Sequence, residues 1–102
     1  MMFQVVMQWP AHLLSDFDEM IAVEDLLIAK FSEKSKLDGH DFGAAEANIF
    51  VRTVDAQETF EEIRSILSGH RLWPKAVIAY RQIDGGEYTV VWPPGPKTSN
   101  GR

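Results

Sequence analysis

Apolar and polar residues alternate at the start of the chain. The stretch "FQVVMQW", residues 3–9, carries Phe, Val, Met and Trp at every second position, with Gln, Val and Gln between them. A period of two predicts a strand with one buried face. Pro10 lacks the backbone N–H that a ladder needs, so we expect the strand to end there.

Two later segments have the three-to-four-residue spacing of amphipathic helices. The first is "SDFDEMIAVEDLLIAKF", residues 15–31, for which Ser15 is the expected N-cap. The second lies within "VDAQETFEEIRSILSGH", residues 54–70, for which Asp55 is the expected N-cap. In both cases an acidic residue follows the cap three positions later, as in a capping box.

The remaining ordered segments have the composition of strands. Residues 36–42 and 46–53 flank the loop "GAA" and predict one pair of strands. Residues 76–92, "AVIAYRQIDGGEYTVVW", predict a hairpin whose glycines supply the positive φ of its turn. The tail, residues 94–102, is rich in Pro and Gly and is expected to be disordered, which leaves residues 1–93 as a single domain.

The predicted order of elements is β-α-β-β-α-β-β, which defines the α+β class. Its first six elements match the ferredoxin-like β-α-β-β-α-β plan, and the last is an extra C-terminal strand. In that plan two helices cover one face of an antiparallel sheet. Right-handed crossovers would place the first and third strands at the centre of the sheet.

One face of this sheet has to lie under the helices. The expected inward set is apolar and consists of Phe3, Val5, Met7, Trp9, Ile49 and Val51. The opposite face is mixed and consists of Gln4, Val6, Gln8, Asn48, Phe50 and Arg52. Three interpretations of this second face are open: a solvated face with scattered hydrophobic residues, a contact surface for a protein or a second copy, and a small-molecule pocket.

The register of the 36–53 hairpin decides which polar groups join that face. With a three-residue loop, His40 lies opposite Asn48 and Asp38 lies opposite Phe50, while Leu37 stays buried opposite Val51. The candidate binding residues then share the face turned away from the helices. They are Asp38, His40, Glu46, Asn48, Phe50 and Arg52.

The chemistry of this hairpin also has alternatives. His40 beside carboxylates could act as a general base or as one metal ligand. His40 and Asp41 are neighbours on a strand and point to opposite faces, and no second histidine has ligand spacing, so we assign no metal, cofactor or catalytic residue. The structural alternative is that Asp38-Gly39 and Phe42-Gly43 are turn and bulge chemistry, and that Asp38 and Asp41 discourage unwanted pairing of an edge strand. An enzyme remains the second hypothesis after a binding module.

Composition narrows the class of partner. The 102-residue chain is 45% hydrophobic and 25% charged, has no cysteine and carries a formal net charge of −5. The scattered Lys and Arg residues do not form the basic footprint that nucleic acid requires. The first 20 residues lack the features of a signal peptide, and no apolar run approaches a membrane span. These features favour a cytoplasmic protein whose partner is another protein or a second copy.

Three segments resemble a family of small bacterial proteins of uncharacterised function. They are "DFDEMIAVEDLLIAKF", "DGHDFGAAEANIFVRT" and "AYRQIDGGEYTVVWP", and they span most of the chain from Phe3 to Pro93. The family pattern contains a D-G-H-D-x-G…E-x-N-I-F hairpin, and Ala45 stands here where it has a second loop glycine. The resemblance implies the same fold and no known activity. An immunity role, in which a small acidic protein neutralises a toxin, fits such a module.

Overall fold

A computed structural model describes residues 1–94 of the chain, and the predicted tail beyond residue 94 lies outside the described residues. The strands are β1 (Phe3–Pro10), β2 (Ser35–Phe42), β3 (Glu46–Thr53), β4 (Val77–Gln82) and β5 (Gly85–Trp92). The helices are α1 (Phe17–Lys30) and α2 (Ala56–Leu67), with short 3-10 turns at Ala11–Leu13 and Trp73–Lys75. The protein is therefore α+β, as predicted.

The five strands form one open sheet in the order β2-β3-β1-β4-β5. Every neighbouring pair is antiparallel. β1 lies at the centre, between β3 and β4, and β5 joins the edge through the hairpin from β4. This arrangement is compatible with the ferredoxin-like plan.

The core fills the space between one face of the sheet and the two helices. Met7, in the central strand, pairs with Ile49 on one side and Ile78 on the other, and all three are fully buried. Helix α1 contributes Met20, Val23 and Leu27, and helix α2 contributes Phe60, Ile63 and Leu67. The predicted inward set is confirmed, with Phe3 half-buried at its margin.

Helix α1 begins one residue later than predicted. Asp16 is the N-cap, and its Oδ1 accepts a hydrogen bond from the backbone N–H of Glu19 at 3.1 Å. The predicted Ser15 cap was wrong: Ser15 precedes the cap, and its backbone N–H donates to the Glu19 carboxylate at 2.7 Å. That hydrogen bond and the nearby Arg71 guanidinium lower the pKa of Glu19. Helix α2 starts as predicted, because Asp55 accepts from the Glu58 N–H at 3.0 Å.

The last hairpin forms as predicted, but its loop is Ile83-Asp84, and Gly85 and Gly86 are the first two residues of β5. Gly85 and Gly86 have φ values of +145° and +100°, which L side chains rarely adopt. The end of β5 is anchored because the Trp92 ring stacks on Trp73, with the ring centroids 4.9 Å apart. Within residues 1–94, no helix is long and apolar enough to cross a membrane.

Candidate functional site

A bulge in β2 sets the direction of every side chain that follows it. Leu37 pairs with Val51, as predicted, but the next paired residue is His40, opposite Ile49. Asp38 and Gly39 together occupy the space of one residue, and Gly39 has a φ of +116°. This is the geometry of a β-bulge, which inserts one extra residue into an edge strand.

The predicted register of the hairpin is therefore wrong after Leu37. His40 is not opposite Asn48 and does not lie on the face turned away from the helices; Asp41 pairs with Asn48 instead. Phe42 pairs with Ala47, not with Glu46. The physical reason is that one inserted residue exchanges the two faces of a strand, because side chains alternate with a period of two.

We predict that Gly39→Ala lowers the free energy of unfolding by about 1–2 kcal/mol. Nothing lies within 4 Å of a Cβ built at this position, so the cost would come from the positive φ and not from a clash. Gly69→Ala is the matched control, because its Cβ also meets nothing within 4 Å and its φ is not positive. Urea unfolding of both variants tests this. Equal stabilities for the two variants would contradict the bulge.

On the helix side of the hairpin, His40 forms a pair with Glu24 of α1. The Nδ1 atom of His40 lies 3.0 and 3.2 Å from the two carboxylate oxygens of Glu24. The Glu24 side chain is only 10% exposed, whereas the His40 side chain is 34% exposed. The Phe17 ring packs edge-on against His40, at 5.2 Å between centroids, and against Phe42 at 5.9 Å. The pair therefore joins α1 to the edge strand β2.

The sequence did not reveal this pairing. Glu24 lies on or beside the apolar face of its helix, where a charged residue at the margin of the core is the ordinary expectation. The contact spans 16 residues and depends on the bulge. The bulge was visible only as the dipeptide Asp38-Gly39.

The other five predicted site residues lie on the opposite side of the sheet, which we call the open face. Asp38 and Arg52 form an ion pair at 3.7 Å. The Gln8 Nε2–H donates to Asn48 Oδ1 at 3.0 Å and to Glu46 Oε1 at 3.4 Å. These contacts hold the polar side chains in place on either side of Phe50 on the open face.

An apolar patch occupies the middle of the open face. Val6 of β1 pairs with Phe50 of β3 and with Ala79 of β4, and Ala79 pairs with Val90 of β5. Val90 is 56% exposed. The apolar patch consists of Val6, Phe50, Val77, Ala79, Tyr88 and Val90. Together with Gln8 and Asn48, these residues line a shallow depression of about 320 Å³. Four of these six come from the last hairpin, so only the strand order shows that they adjoin Val6 and Phe50.

Charges of opposite sign lie at the two ends of this patch. At one end the register aligns Lys36, Arg52 and Arg81 across the sheet, which we call the basic end. At the other end lie Asp41, paired with Asn48, and Glu46, which we call the acidic end.

Tyr88, a member of the apolar patch, also contacts the basic end. Its hydroxyl donates to Gln4 Oε1 at 2.6 Å, and its ring lies 5.0 Å from the Arg81 guanidinium carbon. The open face is therefore apolar in the middle, with the basic end on one side and the acidic end on the other.

The candidate chemistry of the two faces differs. The helix side holds the His40–Glu24 pair, and the open face holds charged and amide groups around apolar side chains. Among the described residues, no group of three or more His, Cys, Asp or Glu side chains could hold a metal ion. Comparison of the chain with family models, with curated proteins and with solved structures finds no match.

Proposed function

We propose that this chain is a non-enzymatic protein-binding module, immunity-like or accessory in role, and that it binds through the open face. The observation that supports this most is the apolar patch, which no element covers within residues 1–94. Val90 and Tyr88 are exposed there and Phe50 and Val6 are half-buried. An apolar centre with a polar rim is the usual anatomy of a protein interface.

The proposed fold is the ferredoxin-like one with a fifth strand. The order β2-β3-β1-β4 supports it, since that order follows from two right-handed βαβ crossovers. The fold matters for function because both helices lie on one side, which leaves the other side of the sheet available for contact.

Within this surface we assign Phe50 as the central anchor. Aromatic residues near the middle of an interface carry a large share of its binding energy. Asp38, Glu46, Asn48 and Arg52 surround it and would set orientation and specificity. His40 does not belong to this surface, because the bulge directs it toward α1.

Affinity capture tests the proposal with two matched variants. The bait is the full chain, and the extract is native cytoplasm, the compartment favoured by a cysteine-free sequence. Phe50→Lys places a charge in the apolar patch, whereas Ile28→Lys places the same charge on α1, where Ile28 is 61% exposed. We expect Phe50→Lys to lose the captured protein by about tenfold or more and Ile28→Lys to retain it.

Two controls make the capture result interpretable. Circular dichroism and thermal unfolding have to show that both variants remain folded, which we expect because neither side chain belongs to the buried core. Mass spectrometry identifies whether the captured protein is another protein or the untagged native chain. If both variants capture the same proteins as the unmodified bait, the open face is not the binding surface.

The enzyme hypothesis placed acid–base chemistry on His40 beside carboxylates such as Glu46, in a cluster that also held Asn48. The structure does not bring these groups together, because His40 lies on the helix side and the other two lie on the open face. His40 Nδ1 instead lies against the Glu24 carboxylate, and the Phe17 ring packs edge-on against the imidazole. The geometry therefore supports binding through the open face better than catalysis at His40.

A further inference from the structure

We infer that the partner of the open face is a second copy of this chain, packed sheet against sheet with the strands of the two copies antiparallel. This inference rests on the proposed function and names its partner. The observation behind it is the order of groups along the strands: the basic end, then the apolar patch, then the acidic end. A surface arranged in this way is complementary to itself after a half-turn.

Symmetry limits how two copies can pack. Most homodimers have a two-fold axis, and when two faces meet this axis lies in the plane between them. An axis perpendicular to the strands keeps each strand over its own copy and reverses its direction. The basic end of one protomer then lies over the acidic end of its partner, and the two apolar patches meet.

The alternative axis runs along the strands and is unfavourable here. It would place the basic end over the basic end, with Arg52 over Arg81 of the partner subunit. It would also lose the contact of Lys36 with Asp41, because β2 would then lie over β5 of the partner subunit. Like charges brought together at an interface cost several kcal/mol. The distribution of charge therefore selects the antiparallel arrangement.

In that arrangement the contacts can be named from the register. Val6 lies near the axis and meets Val6 of the partner subunit. On β2, Lys36 lies in the row of Arg52, and Asp41 lies in the row of Asn48 on the other side of the patch. Lys36 therefore lies over Asp41 of the partner subunit, and the same contact occurs twice. Asp38, close to the axis, keeps its charge paired with Arg52.

The area of the open face is sufficient for a stable dimer. Five strands about 4.8 Å apart give a width of about 24 Å, and the rows from Arg52 to Glu46 add a length of about 20–27 Å with side chains. Taken as flat, these dimensions give about 480–650 Å² per partner, which in total is close to or above the about 1,000 Å² of a specific interface. Two packed sheets lie about 10 Å apart with their side chains interdigitated, so this contact would remove Val90 and Tyr88 from water.

Two charge-reversed variants test the arrangement. Lys36→Glu places two acidic groups at each contact, and Asp41→Lys places two basic groups there, so neither variant should form homodimers as readily as the unmodified chain. We expect each dissociation constant to rise about tenfold or more. When the two variants are mixed, one contact joins the introduced glutamate to the introduced lysine, and the other keeps the original Lys36 and Asp41. Both contacts are then attractive, so a heterodimer should form.

The measurement is sedimentation equilibrium of the full chain, with circular dichroism to confirm folding. We expect the unmodified chain to show twice its mass of 11.6 kDa. Each variant alone should show a mass closer to one chain, and the equimolar mixture should return to the dimer mass. Glu61→Lys makes the same change in charge as Asp41→Lys on α2, on the helix side, and should remain dimeric.

The outcomes separate this inference from the proposed function. A monomer at every concentration, or variants that dimerise as well as the unmodified chain, overturns the inference. If the chain is monomeric but captures another protein, and Phe50→Lys loses that protein, the proposed function stands without the homodimer. A dimer that persists unchanged in Phe50→Lys contradicts both, because the contact then lies elsewhere.

Discussion

Met7→Ala is expected to lower the free energy of unfolding by about 2–5 kcal/mol, whereas Val6→Ala in the same strand costs less than about 1 kcal/mol. Met7 is fully buried between Ile49 and Ile78, so truncation removes apolar contacts and leaves a cavity. Val6 is half-buried on the open face, where water can fill the space. Adjacent residues of one strand thus report on its two faces.

Urea unfolding followed by circular dichroism measures both values. The protein concentration has to be low enough for the monomer to predominate, because Val6 would otherwise also contribute to dimer contacts. An unchanged slope of free energy against urea shows that the unfolded state is the same in each variant. Equal costs for the two variants, or a larger cost for Val6→Ala, would show that the open face has been assigned to the wrong side.

The sequence predicted the elements and their inward faces because those signals are local. The alternation in β1 fixes which side chains can share a face, whatever lies on either side of the strand. The α2 cap depends on Asp55 and Glu58, three residues apart, and it formed as expected. The α1 cap failed by one residue because Ser15 and Asp16 are both good caps and are adjacent, and the structure uses Asp16.

The candidate site was harder to predict because it depends on one inserted residue. Leu37 is inward and opposite Val51 in both the predicted and the observed register, so its burial could not distinguish them. Gly39 suggested a bulge without showing that the pairing shifts there. Once it shifts, Phe42 packs against Phe17 and His40 meets Glu24, which are contacts between elements that no local pattern encodes.

The apolar patch illustrates a different limit. Alternation placed Val6 and Phe50 on the open face correctly, since each lies between two inward residues of its own strand. Ala79 and Val90 join them only because β4 pairs with β1 and β5 pairs with β4. Single hydrophobic residues on a surface need no explanation, but a contiguous group does. The strand order therefore changed an ambiguous mixed face into a specific surface.

His40→Ala is expected to lower the free energy of unfolding by about 1–3 kcal/mol, more than Glu24→Leu, which should cost less than about 1 kcal/mol. Within residues 1–94, His40 is the hydrogen-bond partner of the nearly buried Glu24 carboxylate, so its removal leaves a charge that water cannot solvate well. In Glu24→Leu the His40 imidazole loses its partner, but it is one-third exposed and can form a hydrogen bond with water.

The double variant Glu24→Leu/His40→Leu separates the pair from its surroundings. Replacing both partners by apolar groups is often nearly neutral, because neither is left unpaired, so we expect it to be closer to the unmodified chain than His40→Ala is. Urea unfolding of the unmodified chain, Glu24→Leu, His40→Leu and the double variant gives the coupling energy. Costs that simply add would show that the two groups do not interact. Since His40 lies on the helix side, His40→Ala should also keep the dimer mass. A loss of stability with no loss of the dimer would support the assignment of the open face as the contact surface.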